Sequence, residues 1–433
     1  MANKENLEQT EGEVKIRFGS EIDLFIKHID SIGNVLLGMV FAVQEGANRA
    51  KRELVDFEEK NCTVTKTGST RKVSIPLTHI KKWEKLRKRF EHFNHSHALL
   101  PRSLLVSLIS QYDAYLGRLL RAIFILKPEI LNVTDKKFSY EAIAQFSSID
   151  ALREHILEKE VEDILRSSHS EQFKWMENTF KLPLTKDLSV WSEFIEITER
   201  RNLFVHTDGI VSSQYMSVCN SHKSKLEKDV KEGEKLSVPQ KYFESSHYCI
   251  YEIGVKLGHV LWRKLFPNDR EFADSKLIQQ TYELIENGNY ALAIRMLDFA
   301  CNNFHKTANE SSQLILTINR AQSQKWLGND KECKEIMAKI DWSAKGEEFK
   351  LANHVLSEDW SKSVKTMRVI GKTGAVGKNH YRDWPLFREF RKQTSFLETF
   401  KEIFEEDFLI DSEIDTHEIL DDKEKTLNNL SDA

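Results

Sequence analysis

Apolar residues recur at three- and four-residue spacing along most of the chain, and strict alternation is confined to one short stretch, so the pattern predicts a mostly α protein. Residues 21–60 read as a long helix with a mixed apolar face through Leu24, Phe25, His28, Ile32, Leu36 and Val40, although Gly33 and Gly38 weaken its continuity. Alternation on either side of Thr67, Gly68 and Ser69 predicts a small β-hairpin within residues 63–76. Residues 81–93 place Trp83, Leu86, Phe90 and Phe93 on one side of a helix, with Ile80 just before them. Ser103 then reads as the cap of a strong helix that ends ahead of Pro128, its wide face running from Leu104 to Phe124. Further helical runs follow over 148–166, 172–180, from Trp191 onward and over 245–266, with a charged loop at 220–236. Residues 101–266 therefore predict a helical bundle preceded by an N-terminal extension, 1–100.

After Pro267 the texture changes. The segments around Gly288–Asn289–Tyr290, Gly328–Asn329–Asp330 and Glu358–Asp359–Trp360 align at spacings near a tetratricopeptide period, which predicts degenerate helix-hairpin repeats over 267–410. The aromatics Trp384, Phe387, Phe390, Phe396, Phe400 and Phe404 predict a closing helical pair over 381–408. The tail, 411–433, is acidic and poor in aromatics, and disorder is expected.

Composition changes this picture little. With 433 residues, 40% hydrophobic and 30% charged, the chain can bury a sizeable core, and 7 prolines with 17 glycines disfavour a turn-rich β protein. A net charge of −4 does not advertise a nucleic-acid binder, so any such surface is a local patch. The best patch is Lys81, Lys82, Lys85, Arg87, Lys88 and Arg89, opposite the Trp83 stripe; a solvated helix face explains the same letters. The 5 cysteines form no CxxC pair, so disulfides and zinc are not expected. His92, His95 and His97 have metal-like spacing but no acidic or cysteine partner nearby. Gly371–Lys372–Thr373 lacks the earlier glycine of a phosphate loop, since Thr366 stands there. The apolar run 35–43 is too short to span a bilayer and the start lacks a signal-peptide core, so a cytoplasmic location without membrane association is expected.

Chemistry concentrates at the helix that starts at Trp191. Glu196 precedes Arg200 by four residues, as an ion pair would, and Asp208–Gly209 breaks the helix. His206 falls in the last turn, where unpaired carbonyls favour an imidazolium. Arg201 and His206 form an Arg-x4-His pattern with Asn202 directly after the arginine. Asn202 and His206 share a face, and Arg201 lies about 140° round the helix from His206, within reach of a phosphate held over the helix end. Arg87 and His92 repeat the spacing without the following turn.

The run from Glu196 to Tyr215, EITERRNLFVHTDGIVSSQY, resembles the HEPN superfamily, most closely the helical domains of bacterial abortive-infection and toxin proteins. The resemblance covers roughly residues 100–266. It implies that Arg201, Asn202 and His206 form the catalytic motif of a metal-independent endoribonuclease of antiphage-defence or toxin–antitoxin type, leaving 2′,3′-cyclic phosphate ends and using no cofactor. It further implies a homodimer through the bundle that brings two motifs into one cleft. The repeat-like half is then expected to hold an antitoxin or trigger protein. Two rival readings stay open: a non-catalytic dimerisation module of the same fold, and an adaptor for a separately encoded partner.

Overall fold

The computed structural model of this chain describes residues 2–67, 70–133, 139–186, 188–227, 230–303 and 307–408. The tail 411–433 lies outside these. Helix α1 (Ala2–Asn61), strands β1 (Thr63–Thr67) and β2 (Thr70–Ser74), and helix α2 (Ile80–Leu126) run out and back as one antiparallel hairpin, its strands pairing Thr63 with Ser74 and Thr67 with Thr70. The β-hairpin is where alternation predicted it.

The phase of α1 differs from the predicted face. Phe18, Ile22, Phe25, Ile29 and Leu36 are buried, whereas Leu24 is 38% exposed and Ile32 only half-buried. The choice is made by α2 and its neighbours: Phe25 stacks on Tyr115 with ring centroids 4.3 Å apart, and a Cβ on Gly254 would meet the Phe25 ring at 2.2 Å. The helix also runs straight through Gly33 and Gly38. One consequence is that α1, over Phe18–Asn61, is by length and composition long and apolar enough to cross a membrane, with 18% of its most apolar window buried. The run 35–43 therefore belongs to a longer apolar stretch than it shows alone.

Helix α2 continues through Pro101, so the expected boundary at residue 100 falls inside a helix, and the Ser103 hydroxyl bonds the Leu99 carbonyl at 3.2 Å instead of capping. Proline forfeits one hydrogen bond and crowds the preceding turn. The apolar seam against α1 runs on either side of it, from Trp83, Leu86 and Phe93 to Leu105 and Leu108, and that packing outweighs the local cost.

The bundle follows as α3 (Tyr140–Ala144), α4 (Ile149–Arg166), α5 (His169–Phe180), α6 (Trp191–His206), α7 (Ser213–Ser221) and α8 (Gln240–Leu265). Ser148 caps α4 through the Ala151 amide, and Ser168 with Glu171 forms a capping box at α5. Tyr112 and Tyr115 of α2, Phe173 of α5, Phe194 of α6 and Trp262 of α8 fill its centre, all essentially solvent-free.

By contacts the chain divides into two compact units, Met1–Leu277 and Ile278–Ala433, with the division inside α9 (Arg270–Glu286). The first turns of α9 belong to the first unit, where Asp274 pairs with Arg263 out of water. The second unit holds the rest of α9, then α10 (Tyr290–Asn303), α11 (Glu310–Trp326), α12 (Asp330–Met337), α13 (Glu347–Leu356), α14 (Trp360–Ile370), α15 (Lys378–Asp383) and α16 (Thr394–Phe404).

The three predicted repeat turns are equivalent in the structure. Gly288, Gly328 and Glu358 each adopt positive φ (75°, 91° and 60°), and the next amide reaches back five residues: Asn289 to Leu284, Asn329 to Gln324 and Asp359 to His354, at 2.8–2.9 Å. That is the Schellman closure of a helix, and it starts three helix hairpins: α9–α10, α11–α12 and α13–α14. The aromatic segment departs from expectation. Residues 381–392 are α15 followed by two short 3-10 turns, because Trp384 before Pro385 is held extended at ψ 126° and cannot continue a helix. Only α16 supplies a full helix, with Phe396, Phe400 and Phe404 buried on it.

The α5 C-terminus yields a simple test. Exposed Lys181 sits at φ 53°, a left-handed conformation that costs a residue with a Cβ roughly 1–2 kcal/mol. Lys181→Gly should stabilise the protein by about 1 kcal/mol and raise the Tm by about 2 °C in a thermal unfolding scan; an unchanged or lower Tm would show that the left-handed lysine carries no strain.

Candidate functional site

Helix α6 starts without a side-chain cap, since Val190 precedes it, but Glu193 in its first turn and His206 in its last suit the helix dipole. Its inner face is Phe194, Ile195, Ile197 and Leu203 together with two charged side chains, Glu196 and Arg200, which are 5% and 1% exposed. The helix ends where Asp208 and Gly209 both take positive φ, and the Gly209 amide returns to the Leu203 carbonyl at 3.0 Å. A Cβ on Gly209 would meet the Phe204 ring at 2.8 Å, so glycine is required by space as well as by φ.

The expected Glu196–Arg200 ion pair is present at 2.7 Å and is the centre of a larger polar knot. Glu196 also accepts from the Tyr215 and Tyr242 hydroxyls, both at 2.6 Å. Arg200 donates to Glu227 at 2.9 Å and to the Ser237 carbonyl at 3.0 Å, and its guanidinium carbon lies over the Tyr242 ring, 4.0 Å from the centroid. Burial pushes both tyrosine hydroxyls up, with the Glu196 charge adding to it. Burial opposes the Arg200 charge, yet Tyr242, Glu196 and Tyr215 hold its affinity for the proton above the ordinary arginine range. Burial, then Glu196 and Glu199, push the neighbouring Cys219 thiol up to about 12, so no thiolate forms there at neutral pH.

The knot also orders the chain after α6. The Val211 amide bonds the Glu234 carbonyl at 2.8 Å and the Leu236 amide bonds the Gly209 carbonyl at 2.9 Å, so the charged loop folds back on the helix end. Asp208 is held by Lys235 and by Arg102 of α2 at 3.1 Å, and the lysine first, then the arginine, draw its carboxyl below the usual range.

The three motif residues point in different directions. Half-buried Arg201 donates to Asp113 of α2 at 2.8 Å, and the other oxygen of that carboxylate meets buried His169 at 2.9 Å. Asn202 makes one long contact, 3.4 Å, to Glu199, whose carboxyl is raised by burial against the opposing pull of His169 and Arg201. His206 is exposed and, among the described residues, makes no hydrogen bond or ion pair. Among the described residues no hydrogen bond or ion pair joins Arg201 to His206.

Asp113, His169 and Glu199 are the neighbours that spacing alone did not reveal. Asp113 did carry a signal: it is a carboxylate set between Tyr112 and Tyr115 in an otherwise apolar helix face, and such a charge requires a cation. The six basic residues of the other candidate patch lie on the outer part of α2. There Arg87 pairs with Glu91 at 3.0 Å and Arg89 with Glu53 at 2.8 Å, and Lys82 lies over the Phe57 ring at 5.3 Å. Lys81, Lys85 and Lys88 are exposed and make no ion pair among the described residues. His92, His95 and His97 are exposed, and among the described residues no group of three or more His, Cys, Asp or Glu could hold a metal ion.

No family model, curated protein or solved structure matches the chain.

The adjacent arginines should separate cleanly in chemical denaturation. Arg200→Ala leaves Glu196 buried with its main cation gone, a change that typically costs about 3–5 kcal/mol. Arg201→Ala breaks a half-exposed pair and should cost about 1 kcal/mol. Equal losses in the two variants would contradict the division.

Proposed function

We propose that the C-terminal end of α6 is the active site of a metal-independent endoribonuclease of the HEPN type. The observation that carries this reading is the contrast within one helix: Arg200 is consumed by the core, whereas Arg201, Asn202 and His206 sit at or near the surface and His206 has no internal partner among the described residues. In the proposed step His206 takes the proton of a ribose 2′-hydroxyl, O2′ bonds to phosphorus, the bond from phosphorus to O5′ breaks, and O5′ receives a proton. Arg201 faces the charge that builds on the phosphate, and Asn202 orients the phosphate or the imidazole. The products are a 2′,3′-cyclic phosphate and a 5′-hydroxyl, and no metal or cofactor enters.

One helix end supplies one imidazole, while this chemistry uses a proton acceptor and a donor. A homodimer with two motifs at a two-fold axis meets that need and is part of the proposal. Val205 and Ile210, 50% and 45% exposed, flank His206 in the chain and give such a partner apolar surface to cover. The proposal places the enzyme in the cytoplasm as a defence or toxin component, with the hairpin repeats of the second unit gripping an antitoxin or trigger protein.

The pairing of Arg201 with Asp113, a carboxylate it shares with His169, favours a second reading, a bundle that keeps the fold for association and cuts nothing. Under the catalytic reading that carboxylate instead aims the guanidinium until RNA arrives. The two part on one experiment. Purified protein incubated with total RNA in excess EDTA should cut it and leave 2′,3′-cyclic phosphate and 5′-hydroxyl ends; intact RNA, a requirement for added divalent metal, or 5′-phosphate ends would overturn the proposal.

A further inference from the structure

Beyond Val40 on α1 and before His97 on α2, the last residues that line a cavity with 237–240, the helical hairpin continues as a two-helix arm. Its seam is thin: Ala47, Ala50, Leu54 and Phe57 of α1 are buried there, but no side chain of α2 ahead of Leu105 is. An arm of this kind adds little to the core, and its charge is unlike the rest of the chain. Residues 44–96 hold thirteen Lys and Arg against seven Asp and Glu, a net of +6 within a chain of −4.

Three free lysines on the arm's second helix share one face. Lys81, Lys85, Lys88 and His92 follow one another at helical steps of four, three and four, and they line one groove of about 720 Å³ in which Glu84 is the sole carboxylate and Phe93 an aromatic wall. Phe93 is seated on the backbone of Gly46, where a Cβ would come within 2.4 Å of its ring, so the contact between the two helices fixes that side chain. Like charges at these spacings repel, and Lys81 and Lys82 lie where the α2 dipole disfavours cations, with no acidic residue in that first turn. One carboxylate, Glu84, is interleaved three residues after Lys81 and four before Lys88, which leaves the lysines in excess.

We infer that the arm is a track for the phosphodiester backbone of RNA, held by Lys81, Lys85, Lys88 and His92. The row extends over about 17 Å of helix, long enough to meet several consecutive phosphates. A single line of lysines along one helix face matches the regular phosphates of a strand. The placement also serves the α6 site. Arg102, which binds Asp208 just after His206, stands on the same helix as the row and about 15 Å beyond His92. RNA held on the arm is thereby delivered toward the end of α6, a benefit that rests on the catalytic reading, whereas the binding itself does not.

The test uses the full chain carrying His206→Ala, so that binding is read without cleavage, and a labelled single-stranded RNA titrated by fluorescence anisotropy over a range of salt. Replacing Lys81, Lys85 and Lys88 together by Gln should weaken binding at least tenfold at low salt and reduce the slope of log K against log salt by about 2, three phosphate contacts at roughly 0.7 each. Circular dichroism and the Tm check that this variant folds. The same number of charges removed elsewhere, by Lys331→Gln, Lys334→Gln and Lys339→Gln, should leave both quantities unchanged. Unaltered affinity and slope in the arm variant would overturn the inference, as would an equal loss in the control variant. Binding to phosphatidylserine vesicles with none to RNA would overturn it in favour of a membrane. RNA that binds through these lysines in the His206→Ala chain yet is left intact by the wild-type chain would leave the track standing and remove the catalytic reading.

Discussion

A carboxylate and a guanidinium one turn apart, both out of water, set the terms for the first unit. Burying Glu196 and Arg200 is costly unless their remaining lone pairs and protons are met. Here Tyr215 comes from α7, Tyr242 from α8, and Glu227 with the Ser237 carbonyl from the loop between them. None of these elements satisfies the pair by itself, so α6, α7, α8 and the charged loop must come together. The pair also sets the rotation of α6. With Arg200 turned inward at 3.6 residues per turn, Arg201 lies to the side against α2 and Val205 and His206 lie outward.

That rotation gives two neighbouring arginines different work. Arg200 holds the scaffold, and Arg201 is aimed by Asp113, which itself is steadied by His169. An acid beside a candidate phosphate ligand restrains its fork before substrate binds, and it also lowers the local positive potential. Under the proposed function an RNA phosphate competes for Arg201 or shares it, and Arg102 and Lys235, both paired with Asp208, stand near the helix end.

Much of the architecture was legible in the residues because local rules decided it. Alternation marked the hairpin at Thr63–Ser74, Ser148 marked a helix start, and the Gly-Asn and Glu-Asp turns marked three equivalent helix closures. The failures share a cause in packing between distant segments. The face that α1 buries depends on Tyr115 and Gly254, and the passage of α2 through Pro101 depends on the seam with α1. Residues 381–392 are the exception, since Pro385 carried a local warning that the aromatic spacing masked. At the site, the i, i+4 pair Glu196–Arg200 was readable from spacing; the partner of Arg201 was not, because Asp113 lies on another helix.

In the proposed enzyme the surface end of α6 does chemistry while its buried middle only supports it. Single-turnover cleavage of an end-labelled RNA and the Tm, measured side by side for the wild type and His206→Ala, test this most directly. Loss of an acid–base group should lower the cleavage rate at least about 10²-fold while an exposed histidine leaves the Tm nearly unchanged. Equal rates in the two proteins, with the Tm unmoved, would contradict the claim.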